Sequence, residues 1–263
     1  MHFQFSRKCT FVIESNTRKI VVIVFIFCFQ TFTMLGQLDI LKDVIKEADK
    51  SLNQPLLKMT AISDEEENKI GSDTQNKILK DYKLGKTGKF QISEIFKRIK
   101  SITSRTKIKY EFKILESDDF NAFAIAGGKT FIFTKLIKEL DNQDELAFLI
   151  AHEIAHNELK HCIKKIQYYV TTQKINPLLA NVVQIAYNVY STPFSQDQEY
   201  AADDLGVKLM IKAGFKKDGA ISFFSKLAKI EQKYKVDKRD ALNDFISSHP
   251  TADKRKERIK NIK

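Results

Sequence analysis

Apolar residues recur at helical spacing in LDILKDVIKEADKSL (residues 38–52), which predicts a short helix ending near Pro55. In ISDEEENKIGSDTQNKILKDY, Ser63 followed by Glu66 is a capping-box pattern, and acidic residues crowd the first turn, where the helix dipole favours them. A helix from Asp64 to about Tyr82 is expected there. LGKTGKF reads as a loop, and SEIFKRIKSIT resumes the helical spacing. The period then changes. KIKYEFKIL (107–115) alternates and is rich in β-formers, so a strand is expected. NAFAIAGGKTFIFT (121–134) predicts two short strands joined across Gly127-Gly128. From Leu136 onward the pattern is helical again: 143–160, a variable stretch to about Tyr190, 196–213, 217–233 and a last helix from about Thr251. A small sheet set among many helices is an α+β arrangement.

Composition narrows this picture without redirecting it. With 263 residues, 43% hydrophobic and 29% charged, the chain can bury one substantial core, and collagen-like or low-complexity architectures are excluded. No internal period and no Pro- or Gly/Ser-rich linker divides it, so one domain over residues 37–263 is expected. The net charge of +11 comes mostly from lysines spread along the chain, which reads as a solvated surface with some attraction to anionic membrane. No nucleic-acid motif accompanies the charge, and nucleic acid is not expected as a partner.

The first residues have a different character. Arg7, Lys8, Arg18 and Lys19 precede IVVIVFIFCF, and the uncharged run continues from Ile20 to Leu38. That is the order of a secretory signal, and the run is also near the lower limit of ~17–25 residues for a membrane span. Residues 1–36 are therefore expected to be a signal peptide or an N-terminal membrane anchor, placing the domain outside the cytoplasm, periplasmic or membrane-tethered. Cys9 and Cys28 fall in this segment, leaving Cys162 without an intramolecular disulfide partner in the rest. NPLLANVVQIAYNVY (176–190) carries Asn181, Gln184 and Asn188 at helical spacing, as a helix covering a cleft would and a membrane span would not.

The chemistry concentrates in LAFLIAHEIAHNELKH (146–161). His152 and His156 stand at i and i+4, so both imidazoles project from one helix face, with Glu153 beside them. This is the HExxH pattern of two zinc ligands and a general base acting on water. A third ligand is required. His161 lies five residues past His156, roughly 500° around a continuous helix, and so reads as a structural or surface histidine. A glycine-turn arrangement would need histidine at Cys162 and glycine at Leu159. EYAADDLGVKLM (199–210) supplies a better partner: Glu199 on a second helix completes two histidines and one carboxylate. Asp203 follows at i+4, placed to accept the outer N–H of a ligand histidine. The small residues Ala201, Ala202 and Gly206 suit close packing of that helix.

From about Ile62 to Ile259 the chain resembles the minigluzincin zinc endopeptidases of the CAAX prenyl protease, HtpX and BepA type. The resemblance is carried by ISDEEENKIG, NAFAIAGGKTFIFT, HEIAH, EYAADDLG, AGFKKDGAISFFSKL and SHPTADKRKERI in that order. It implies a mainly helical zincin-type domain with one Zn2+ per chain on His152, His156 and Glu199, and Glu153 as base and acid. It implies that His249 in SHP donates to the oxyanion, and that Arg255, six residues on, supports the site. It also implies that Asn121, Ala122, Phe123 and Ala124 form a strand whose edge aligns the backbone of a polypeptide substrate. Ala126 stands where many relatives have proline, and the further membrane-spanning segments of some members have no counterpart after residue 38. The expected activity is zinc-dependent hydrolysis of peptide bonds in envelope or misfolded proteins. The alternative is a zinc-containing, chaperone-like protein that binds unfolded chains without cutting them.

Overall fold

The computed structural model describes residues 62–86, 88–173, 181–237 and 252–262. Residues 1–36 and the helix expected at 38–52 lie outside them. Helix α1 (Asp64–Asp81) starts as its sequence requires: the Ser63 hydroxyl accepts from the Glu66 amide and the Glu66 carboxylate accepts from the Ser63 amide. Helix α2 (Ile92–Lys100) follows, then β1 (Glu111–Leu115), β2 (Ala122–Ile125) and β3 (Lys129–Phe133). The remainder is helical: α3 (Thr134–Glu139), α4 (Gln143–Glu158), α5 (His161–Thr172), α6 (Val182–Val189), α7 (Gln196–Lys212), α8 (Asp218–Asp237) and α9 (Ala252–Lys260).

The sheet has the order β1-β3-β2, with β1 parallel and β2 antiparallel to β3. Its two-residue alternation divides the interior. Phe123, Ile125, Phe131 and Phe133 join Ile78 of α1 in a small cluster, while Ala122 and Ile132 join the main core around α4. The expected strand at 107–115 shortens to Glu111–Leu115. The side chain of Asn68 takes the backbone ahead of it, donating to the Lys107 carbonyl and accepting from the Lys109 amide. The β2–β3 hairpin turns where two adjacent glycines allow it, since Gly127 and Gly128 both have positive φ. Its tip is fixed from two sides: the Gly127 amide donates to Glu67 of α1, and the Gly128 amide to Asn157 of α4.

Helix α4 is central. Every residue from Glu145 to Asn157 is buried, so it has no solvent face and packs all round against α2, α7, α8 and β2. Its closest neighbour is α7. At Gly206 a β-carbon would sit 3.1 Å from the Cα and N of His152, so the absent side chain lets the two helices approach closely. Helix α6 lies against α1 and α5, and the Tyr190 ring that follows it sits 4.8 Å from Phe123 of β2. Among the described residues no helix is long and apolar enough to cross a membrane.

Candidate metal centre

Helix α4 sets two imidazoles one turn apart, and their Nε2 atoms come within 3.1 Å of each other. Helix α7, started by a capping box in which Ser195 and Gln198 exchange hydrogen bonds, brings Glu199 against them near its first turn. The Glu199 carboxylate lies 3.5 Å from His152 Nε2 through one oxygen and 3.4 Å from His156 Nε2 through the other. One donor atom from each of the three residues falls within 4.8 Å of the others, and all three side chains are buried. Two imidazoles and one carboxylate converging in the interior are a donor set that could hold a metal ion, of the kind found in catalytic zinc sites.

Around this point the protein is built for positive charge. Asp203, one turn beyond Glu199, places an oxygen 3.1 Å from His152 Nδ1, the nitrogen that faces away from Glu199. Arg255 of α9 closes the far side. Its guanidinium donates two hydrogen bonds of 2.7 Å to Asp203, lies 3.0 Å from Glu199, and covers the Phe224 ring at 4.6 Å. Burial alone would make the Asp203 carboxyl hard to ionise, but Arg255 and His152 outweigh it and hold the group below the usual carboxylate range. For His152, burial opposes the charged ring, yet Asp203 and Glu199 prevail and lift it to about 9. His156 lacks such a carboxylate on its outer nitrogen, and burial drives it well below the ordinary value. The residues therefore fit a divalent cation. The carboxylates favour positive charge at this point, and one potential ligand atom of each residue lies within 4.8 Å of the others.

The outer nitrogen of His156 has another partner. His156 Nδ1 lies 3.0 Å from His161 Nδ1, and both rings are buried. The expectation that His161 points away assumed an unbroken helix, and this is where it fails. Helix α4 stops at Leu159, Lys160 adopts a left-handed backbone (φ 62°), and α5 begins anew at His161. The bend turns His161 back toward His156. Phe194, which precedes α7, stacks on the other side of the site with its ring 3.9 Å from that of His156 at 17°. Lys165 in turn lies 3.6 Å over Phe194 and donates to the Thr192 carbonyl at 2.6 Å; burial lowers its amine to about 8. Sequence reasoning missed Phe194 altogether, since a lone phenylalanine in a loop carries no periodic signal.

The other expected residues fall as follows. Glu153 stands next to His152 on α4 with its side chain buried. Ala122, Phe123 and Ala124 belong to β2, with Asn121 just before it, and α4 packs directly beneath. β2 is the last strand of the sheet, so its outer edge pairs with no other strand among the described residues. His249 lies outside the described residues. Arg255, weakly signalled in the sequence, proves to be a bridge between Asp203 and Glu199.

Comparison with known proteins identifies a family. The model of peptidase family M48 matches residues 89–263. The mitochondrial metalloendopeptidase OMA1 of Schizosaccharomyces pombe is 28% identical over 176 residues, covering 64% of this chain and 51% of its own. The Arabidopsis thaliana OMA1 is 30% identical over 156 residues, 56% of this chain and 30% of its own. The beta-barrel assembly-enhancing protease of Yersinia pestis is 25% identical over 185 residues, 62% of this chain and 36% of its own. The chain thus spans about half or less of the length of these curated relatives.

Proposed function

The chain belongs to peptidase family M48, and we propose that it is a zinc-dependent endopeptidase acting on polypeptides through Glu153. The observation that carries this reading is the convergence of His152, His156 and Glu199, with potential ligand atoms within 4.8 Å, all buried and beside a second buried glutamate. Zn2+ held there would act as a Lewis acid on the scissile carbonyl and make water a better nucleophile near neutral pH. The protein's own groups do the rest. Glu153 takes the proton from the attacking water and returns it to the leaving amine. The outer edge of β2, led by Asn121 and running through Ala122, Phe123 and Ala124, aligns the substrate backbone by adding it as a strand. Asp203 and Arg255 hold His152 and Glu199 in place. His249 is assigned the oxyanion from its place in the SHP motif.

The reading extends to an exported enzyme working on envelope or misfolded proteins. That part is supported by the basic-then-apolar order of residues 1–36 and by the assembly-enhancing protease among the relatives.

The deciding experiment measures zinc content and casein cleavage for the protein and for Glu153→Gln. The expected result is one zinc in both and cleavage only by the parent, with the variant slower by ~10²–10⁴-fold, the usual contribution of a general base. Zinc in both without cleavage in either would replace the peptidase reading with a chain-binding, chaperone-like one. Absence of zinc from both would end the metal reading.

A further inference from the structure

The two histidines on α4 are held by unlike partners on their outer nitrogens, and one of those partners has no assigned task. His152 Nδ1 faces a carboxylate, Asp203, at 3.1 Å. His156 Nδ1 faces a third imidazole, His161 Nδ1, at 3.0 Å. A contact between two ring nitrogens at that distance requires one proton between them. His156 can offer its Nε2 lone pair to a cation only when its own proton is on Nδ1. That proton must then be donated to His161, whose Nδ1 must be bare and whose proton must sit on Nε2. We propose that His161 is a positioning residue of the metal centre, a neutral acceptor that fixes the tautomer and ring plane of His156.

The surroundings support this assignment. His161 is buried, and its ring lies 5.1 Å from that of His156 at 63°, an angle that suits a hydrogen bond in the plane of the donor ring. The face of the His156 ring is occupied separately by Phe194, stacked at 3.9 Å. One neighbour therefore restrains tilt and the other restrains rotation. The left-handed Lys160 is what delivers His161 to this place, because a helix continuing through it would carry residue 161 to another face. A bare Nδ1 acceptor also differs from Asp203 in adding no negative charge, so the site receives orientation on this side without further ionic balance.

The inference deepens the metal reading, and its test reads zinc affinity rather than cleavage. Zinc affinity is measured by chelator competition for the parent, His161→Leu and His161→Asn. Leucine keeps the branch at Cγ without an acceptor; asparagine places an oxygen where Nδ1 was. The leucine variant is expected to bind zinc ~10–100-fold more weakly, the usual cost of losing such an outer contact, and the asparagine variant within about 3-fold of the parent. Equal affinity in leucine and parent would overturn the proposal, and so would an asparagine variant as weak as leucine, which would indicate packing alone. Should the leucine variant not fold, the ring-nitrogen NMR signals of zinc-loaded parent decide: a proton on His161 Nδ1 overturns the assignment. A parent that binds zinc yet leaves casein intact would sink the peptidase reading and leave this inference standing. A parent with no zinc affinity would remove both.

Discussion

Two polar clusters hang on the same helix, one buried throughout and one partly exposed, and they differ in kind. At the C-terminal end of α4, Arg105 reaches Glu67 at 2.6 Å, Asp64 at 2.7 Å and the Asn157 carbonyl at 2.7 Å. Beside it, Glu158 accepts from the Ser104 amide and hydroxyl, the Arg105 amide and the Tyr110 hydroxyl. There, donors meet acceptors. Within the two turns before it, His152 Nε2, His156 Nε2 and the Glu199 carboxylate converge on one point. A buried carboxylate alone is thus a poor mark of function, because both clusters have one, Glu67 in the first and Glu199 in the second. What separates them is that one potential ligand atom from each of His152, His156 and Glu199 lies within 4.8 Å of the others, a constellation suited to a shared cation.

The comparison can be broken most sharply at its two arginines. Arg255→Met leaves Asp203 and Glu199 facing each other in the interior without their counter-ion, and is expected to cost ~3–5 kcal/mol in urea unfolding. Zinc affinity should fall with it. Arg105→Met should cost less, ~1–3 kcal/mol, because Asp64 is a third exposed and water takes up part of the loss. Zinc affinity should be unchanged; a change would show that the clusters are coupled. Zinc itself sharpens the contrast: at a hundredfold excess over Kd it should stabilise the parent by about 2.7 kcal/mol and His156→Ala far less, read as a shift in melting temperature.

A smaller effect is expected from acid. Burial disfavours ionised Glu158, but the hydrogen bonds from Ser104, Tyr110 and Arg105 outweigh it and hold the carboxyl below the usual range. A folded-state value below the unfolded one stabilises the protein above the unfolded value, and that stabilisation disappears as pH falls through the folded one. Stability measured against pH should therefore drop on the acid side, and Glu158→Gln should flatten that limb. The smallest change is at the start of α1, where Ser63→Ala removes the capping box and should cost ~1 kcal/mol without touching either cluster.

Most of this was legible before the structure, for physical reasons. The helix of 143–160 and the hairpin at Gly127-Gly128 are local: a periodicity, a cap and two permissive residues specify them. His152, His156, Glu199 and Asp203 were equally legible because i, i+4 spacing fixes which side chains share a face. The failures share a cause as well. The strand before Glu111 gives way to Asn68, some forty residues away in the chain, and His161, structural as expected, faces His156 because one lysine in a left-handed conformation breaks the helix. Arg255 is signalled only by the family resemblance and Phe194 by nothing in the sequence, since both act through contacts that only the packed helices create.

The close approach at Gly206 would bear on which ion such a centre accepts. Zinc bonds to nitrogen and oxygen are ~2.0–2.2 Å and calcium–oxygen bonds ~2.3–2.6 Å, so the two ions ask for openings that differ by a few tenths of an ångström. A methyl group at residue 206 would meet the His152 backbone at 3.1 Å and force a yielding of that same size between the helix of the imidazoles and the helix of Glu199. The missing side chain thus works as a calliper setting for the two helices: the separation of His152 from Glu199 is written in the gap between two backbones, at a position that is not itself a candidate ligand.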